Sequence, residues 1–139
     1  MKALIDHGVR FLLVVGYAVR FHGYERGTKD VDVLVSNDGA NAKRLCSALI
    51  SLVRPHHSLQ PEQIEDKKRQ INLASYGYHF EILTEADGVP FDEAYGRRSV
   101  VHCLDLPVPV IAKGDLITMK DAAGRSQDKH DVKKLLELA

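Results

Sequence analysis

Tryptophan is absent, cysteine and methionine occur twice each, and aromatic residues make up only 6% of the 139 positions. So few rings leave the chain without the stacking platform on which sequence-tolerant single-strand binders depend. A net charge is missing too, because 19 Lys and Arg are cancelled by 19 Asp and Glu. No global field therefore draws the protein to nucleic acid or anionic lipid, and any phosphate recognition must be local. Glycine (10) and proline (5) are too sparse for collagen-like or low-complexity sequence. The longest apolar run, residues 11–15, is far below the ~18 residues a membrane helix needs, so no membrane partner is expected. The opening Met1-Lys2-Ala3-Leu4-Ile5-Asp6-His7 meets charge too early for a signal peptide. Cys46 and Cys103 lie far apart without a C-x-x-C context, which predicts reduced, buried thiols in a cytoplasmic protein.

What remains is a chain of ordinary hydrophobic content (45%), long enough for a real core without staples and expected to form one domain over residues 1–139. Residues 2–7 read as a short helix stopped by Gly8. The aliphatic run 9–15 reads as a strand covered on both faces, and 16–23 as a short helix-like segment between glycines. After a charged loop, residues 30–35 form a second β-rich strand. Ser36-Asn37-Asp38 then caps a helix over 40–53, with Ala42, Leu45, Leu49 and Leu52 at helical spacing. Residues 55–68 read as a polar loop with one helical turn. Residues 70–76 and 78–83 read as a hairpin across Gly77, 85–98 as an irregular connection, and 99–104 and 108–112 as short strands. Helices over 115–123 and 128–138 close the chain. This order predicts an α/β (mixed α+β) domain with helices packed on a mixed sheet.

Asp30 and Asp32 are the sharpest chemical feature. Two apart on a strand, they project to the same face, where their charges repel unless a cation intervenes. Hard carboxylate oxygens suit Mg2+. D-x-D alone is weak, since twelve Asp in the chain predict about one such pair by chance, and a solvated strand-edge pair is the alternative. Glu81, between Phe80 and Ile82, would be costly if buried unpaired. On a strand beside Asp30 it completes a cage for divalent ions; on an edge strand it would face water. Gly16 follows a strand and opens a short helix, where a phosphate could approach backbone N–H groups. A purely structural turn explains it equally well. Arg20, Arg26 and Thr28 flank the same region. Asp128 and Asp131 share one helix face near its start, where negative charge is favoured; capping plus a solvated face is the simpler reading. Lys120 and Arg125 are cations that would complement phosphate beside an acidic cleft. His56-His57 lacks a third ligand at zinc spacing. Lys67-Lys68-Arg69 and Arg97-Arg98 are small basic clusters that are usually solvated but could guide a nucleic-acid acceptor. The nucleophile-elbow pattern G-x-S-x-G is missing.

Val14-Val15-Gly16-Tyr17-Ala18-Val19, followed by His22-Gly23-Tyr24-Glu25-Arg26-Gly27-Thr28-Lys29-Asp30-Val31-Asp32-Val33, resembles the signature of small prokaryotic nucleotidyltransferases of the DNA polymerase beta superfamily. The minimal and abortive-infection-type branches are the most similar. The tail adds to the likeness, with Asp115 to Lys120 and then Gly124-Arg125-Ser126-Gln127-Asp128-Lys129-His130-Asp131. The resemblance implies a polymerase-beta-like mixed sheet carrying Asp30, Asp32 and Glu81 as Mg2+ (or Mn2+) ligands and catalytic acids. It also implies nucleotide binding by Gly16, Tyr17, Arg26, Thr28, Lys120 and Arg125. The implied reaction moves a nucleoside monophosphate from an NTP to a hydroxyl of a protein or RNA acceptor. The chain departs from the family at Val15, where Gly-Gly or Gly-Ser is usual across 15–16, and at Glu81, where Asp is common.

Two functions follow. The first is a Mg2+-dependent nucleotidyltransferase whose acceptor is held by a partner, by a cognate member of a toxin–antitoxin pair, or by a second copy in a homodimer. The second is a catalytically degenerate module of the same fold that neutralises or scaffolds a partner protein, which Val15 favours.

Overall fold

A computed structural model describes residues 1–25, 27, 30–53, 60–65, 70–73 and 79–138. Six strands form one mixed sheet in the order β3-β4-β2-β1-β6-β5. They are β1 (Phe11–Val14), β2 (Val31–Val35), β3 (Gln70–Asn72), β4 (Phe80–Leu83), β5 (Ser99–Cys103) and β6 (Leu106–Val110). The helices are α1 (Lys2–Asp6), α2 (Val15–Phe21), α3 (Gly39–Val53), α4 (Phe91–Gly96), α5 (Lys113–Ala123) and α6 (Ser126–Glu137), with a 3-10 turn at Pro61–Gln63. The mixed α/β architecture expected from the sequence is the one present. Among the described residues no helix is long and apolar enough to cross a membrane.

The continuous apolar run becomes a central strand, as anticipated: all four residues of β1 are buried. The strand is shorter than its apolar sequence, because Val15 already belongs to α2. β1 pairs antiparallel with β2, Val14 lying opposite Asp32, and parallel with β6 at Leu13↔Val110. Pro107 and Pro109 cannot donate to a ladder. The pairing of β6 with β5 nevertheless covers five residue pairs, while its register with β1 is confined to its end. On α3 the spacing read from sequence holds, with Ala42, Leu45 and Leu49 at most 1% exposed. Each buried leucine contributes about 1.5–3 kcal/mol.

Two expectations need correction. Residues 85–98 are not wholly irregular, since α4 forms there. Phe91 stacks on Tyr95 (centroids 5.3 Å apart), and the Arg10 guanidinium lies over both rings while donating to Asp92 at 2.8 Å. Those long-range contacts, not local propensity, secure the short helix. Cys103 is exposed rather than buried, because it ends the edge strand β5; Cys46 is buried in α3 as expected, and both thiols are free. The strands of the 70–83 region do pair antiparallel, Ile71 opposite Ile82. The turn assigned to Gly77 lies outside the described residues, as do His56-His57 and Lys67-Lys68-Arg69. Arg97 and Arg98 are exposed, as the solvated reading has it, and each has a partner. Arg97 forks onto Asp115 at 2.8 and 2.9 Å, and Arg98 stacks on Tyr95 at 4.0 Å.

Asn41 ties the sheet to α3. Fully buried, it accepts from the Arg10 backbone N–H at 2.7 Å and donates to the carbonyls of Ser36 (2.7 Å) and Arg10 (3.1 Å). Asn41→Ala strands those backbone groups away from water, so urea denaturation should show a loss of about 2–3 kcal/mol with an unchanged slope.

Candidate active site

The pairing of β2 with β4 decides the geometry of the acids. The two strands run parallel with Asp32 directly opposite Glu81, so both side chains leave the same face of the sheet. Asp30, two residues before Asp32, joins them in a cleft of about 970 Å3. Glu81 is thus not on an edge strand: β3 covers the far side of β4, and Gln70 of β3 donates a side-chain hydrogen bond to the Glu81 carboxylate. Asp30 lies nearer the mouth, 3.4 Å from Nδ1 of His79, with both side chains more than half exposed.

Like charges so close must give way. The Asp32 carboxyl is pushed up to about 7, first by burial, then by its hydrogen bond to Glu81 and the charges of Glu81 and Asp30, with Lys120 opposing. A proton held on Asp32 relieves the repulsion. The donor set consists of hard carboxylate oxygens, which fits a divalent cation in place of that proton. Among the described residues no three His, Cys, Asp or Glu side chains stand as a finished ligand set, and Asp32 and Glu81 are hydrogen-bonded to each other.

The opposite wall comes from α5 and α6. Lys120 is only 3% exposed, and its Nζ donates to Asp131 at 2.8 Å and to Asp128 at 3.4 Å. Arg125 donates from Nε to Asp128 at 2.7 Å and keeps its exposed face in the cleft, where Asp32 and Glu81 help raise its pKa after the dominant effect of Asp128. Asp128 also accepts the Arg125 backbone N–H at 3.2 Å, capping α6, and Gln127 donates to Asp131 at 2.8 Å. Asp128 and Asp131 therefore do not form a solvated face. They are 2% and 0% exposed and hold both cations of the cleft wall. Gly124 makes the turn possible, since its left-handed φ of 65° ends α5 one residue before Arg125. His130 on α6 pairs with the Tyr24 hydroxyl at 2.9 Å.

Gly16 and Tyr17 occupy the first turn of α2 but do not line the cleft. Gly16 is buried, and the Tyr17 ring meets Arg20 instead. Val15 lines it in their place, at a φ of 60°. A β-branched residue is rarely found there, and such strain costs about 1–3 kcal/mol. Arg26 and Thr28 lie outside the described residues.

No family model matches the chain, and no curated protein matches it by sequence. Solved structures do resemble it. The lincosamide antibiotic adenylyltransferase LnuA, in its lincomycin-bound crystal structure, superposes with a TM-score of 0.62 over 99% of this chain and 92% of its own, at 15% identity. An antigenic nucleotidyltransferase-like protein from Paracoccidioides brasiliensis gives a TM-score of 0.59 at 16% identity, over 99% and 72% of the two chains. This chain has the nucleotidyltransferase fold.

Two outcomes test the electrostatics. Because the folded protein holds a proton on Asp32 that the unfolded chain releases near 3.8, the stability from this group is full below about pH 4 and is lost as pH rises to about 7. Asp32→Asn should therefore raise the melting temperature of the metal-free protein at pH 8 and change it little at pH 4.5. Lys120→Met leaves two buried carboxylates short of a partner. It should cost about 3–5 kcal/mol by chemical denaturation, part of which Asp131→Asn in the same chain should restore.

Proposed function

We propose that the protein transfers a nucleoside monophosphate from an NTP to an acceptor hydroxyl. The observation that carries this reading is the in-register meeting of Asp32 and Glu81, with Asp30 beside them, opposite Lys120 and Arg125 in one cleft. Asp30, Asp32 and Glu81 are the residues that would hold Mg2+ or Mn2+, which when bound supplies positive charge against phosphate oxygens. Lys120 and Arg125, held by Asp128 and Asp131, set positive charge on the opposite wall, where it complements a triphosphate. Glu81 accepts the proton of the acceptor hydroxyl. The hydroxyl oxygen then bonds to the α-phosphorus, the bond to the α–β bridging oxygen breaks, and pyrophosphate leaves with that electron pair. The resemblance to abortive-infection-type proteins supports a toxin–antitoxin setting, and an NTP substrate supports a cytoplasmic one.

Val15 favours a second reading, a binding module that has lost catalysis. Its side chain and strained backbone stand at the cleft floor next to the strand of Asp32.

The deciding experiment incubates the protein with α-labelled NTPs, Mg2+ and a cell extract, resolving both macromolecules and small molecules. Label transfer should fall at least ~100-fold in Asp30→Asn/Asp32→Asn, in line with the loss of a group that acts in the transition state. Melting should rise with the preferred nucleotide, by about 2.7 kcal/mol of stability at 100 times its Kd. Equal labelling by wild type and double variant would leave the binding module as the function.

A further inference from the structure

The sheet ends at β5, far from the acids, and the backbone pattern there can be worked out residue by residue. The N–H of Ile111 bonds to the Leu13 carbonyl, so residues 107, 109 and 111 turn their backbone groups towards β1. Residues 106, 108 and 110 then turn theirs towards β5, where Cys103, Val101 and Ser99 stand opposite and exchange hydrogen bonds with them. Val100 and His102 face Pro109 and Pro107 instead, where no donor is needed. Their own N–H and C=O groups point outward, because β5 is the last strand of the sheet. Among the described residues nothing bonds to these groups.

Edge strands are normally blunted by lysine, proline or a bulge. β5 has none of these: Ser99-Val100-Val101-His102-Cys103 carries no lysine, no proline and no carboxylate, and its register with β6 is unbroken. The hairpin tip is as unusual. Leu104 and Asp105 make a two-residue turn with φ of 50° and 65°, a place that favours Asn-Gly. Leucine is strained there, yet its side chain is 92% exposed, and Val100 on the same hairpin is 50% exposed.

We infer that β5 docks against β5 of a second copy, the two strands pairing antiparallel about a two-fold axis at Val101. The strand selects both partner and register. Outward groups must meet outward groups, and only an axis at Val101 pairs all five residues. Val100 then meets His102 of the second copy, Ser99 meets Cys103, and Val101 meets its own counterpart. An axis at His102 would set two imidazoles face to face and leave the strand ends unpaired. With the axis at Val101 no like charges are opposed. Asp105 of one copy arrives beside Arg97 and Arg98 of the other, acid against base. The two exposed Val100 side chains become diagonal neighbours across the axis, which covers apolar surface that is open in one copy. A foreign strand would need this pattern by chance; a second copy has it by symmetry. Five residue pairs make an interface smaller than the usual ~1,200–2,000 Å2, so the dimer forms reversibly and only at raised concentration. The acids stand on β2 and β4, beyond β1 and β6, and the inference holds whether or not nucleotide is transferred.

Sedimentation velocity of the full chain under reducing conditions reads the association. The mass should rise from one copy at about 1 μM towards two at about 500 μM, a span suited to a small interface. Val100→Pro removes only an outward N–H, and Val100→Lys sets a charge on the edge. Each should weaken association at least ~10-fold while leaving the far-UV circular dichroism of the dilute protein unchanged. If the proline variant does not fold, the lysine variant decides. Crosslinking reads the register. Ser99 and Cys103 of the second copy form a pair without mutual hydrogen bonds, whose Cα atoms lie about 4.5 Å apart and within disulfide reach. Ser99→Cys should therefore give a covalent dimer with oxidised glutathione, and Cys103→Ser in the same chain should abolish it. The wild type should stay uncrosslinked, because its two Cys103 residues sit about 13 Å apart across the axis. A monomer at every concentration, a dimer indifferent to Val100→Lys, or a Ser99→Cys chain that crosslinks no faster than the wild type would overturn the pairing.

Discussion

The repulsion between carboxylates set side by side by strand pairing organises this molecule. β2 and β4 run parallel in a register that puts Asp32 against Glu81, and the partial burial of Asp32 weakens the screening of bulk water there. Without a cation the cluster keeps a proton. A site that holds a proton against ordinary carboxylate chemistry carries a tension already present in the fold, and the divalent ion proposed for it would relieve that tension.

The rest of the cleft is arranged around that tension. Lys120 lies within the electrostatic reach of Asp32, yet it is not drawn into the acid cluster, because Asp131 and Asp128 fasten it to α6. Arg125 is fastened by the same Asp128. Two buried anions thus keep two cations across the cleft from three other anions, which preserves an opening between them. Such a network contributes little net stability against an apolar replacement. Its use is positional, and it ties the turn at Gly124 to the chemistry of the sheet.

Much of the architecture was legible along the chain. The apolar run through Leu12 to Val14 specified a covered central strand, and the spacing of Ala42, Leu45 and Leu49 specified the helix beneath it. The Asp30/Asp32 periodicity implied one face whatever the partner strand. α4 was not legible: its six residues have no side-chain cap, and the guanidinium that lies over Phe91 comes from Arg10, 81 residues earlier in the chain. The burial of Asp128 and Asp131 was equally hidden. A pair three apart near a helix start reads as surface charge until Lys120 is seen between them.

Periodicity and composition act through neighbours in sequence, so they were sufficient to assign strands, helices and the common face of one acid pair. They carry no information on which strand lies beside which, or in what register. A shift of one residue between β2 and β4 would have sent Glu81 to the opposite face. The convergence of Glu81 with Asp32, and of both with Lys120 and Arg125 in one cleft, was decided by packing between distant segments.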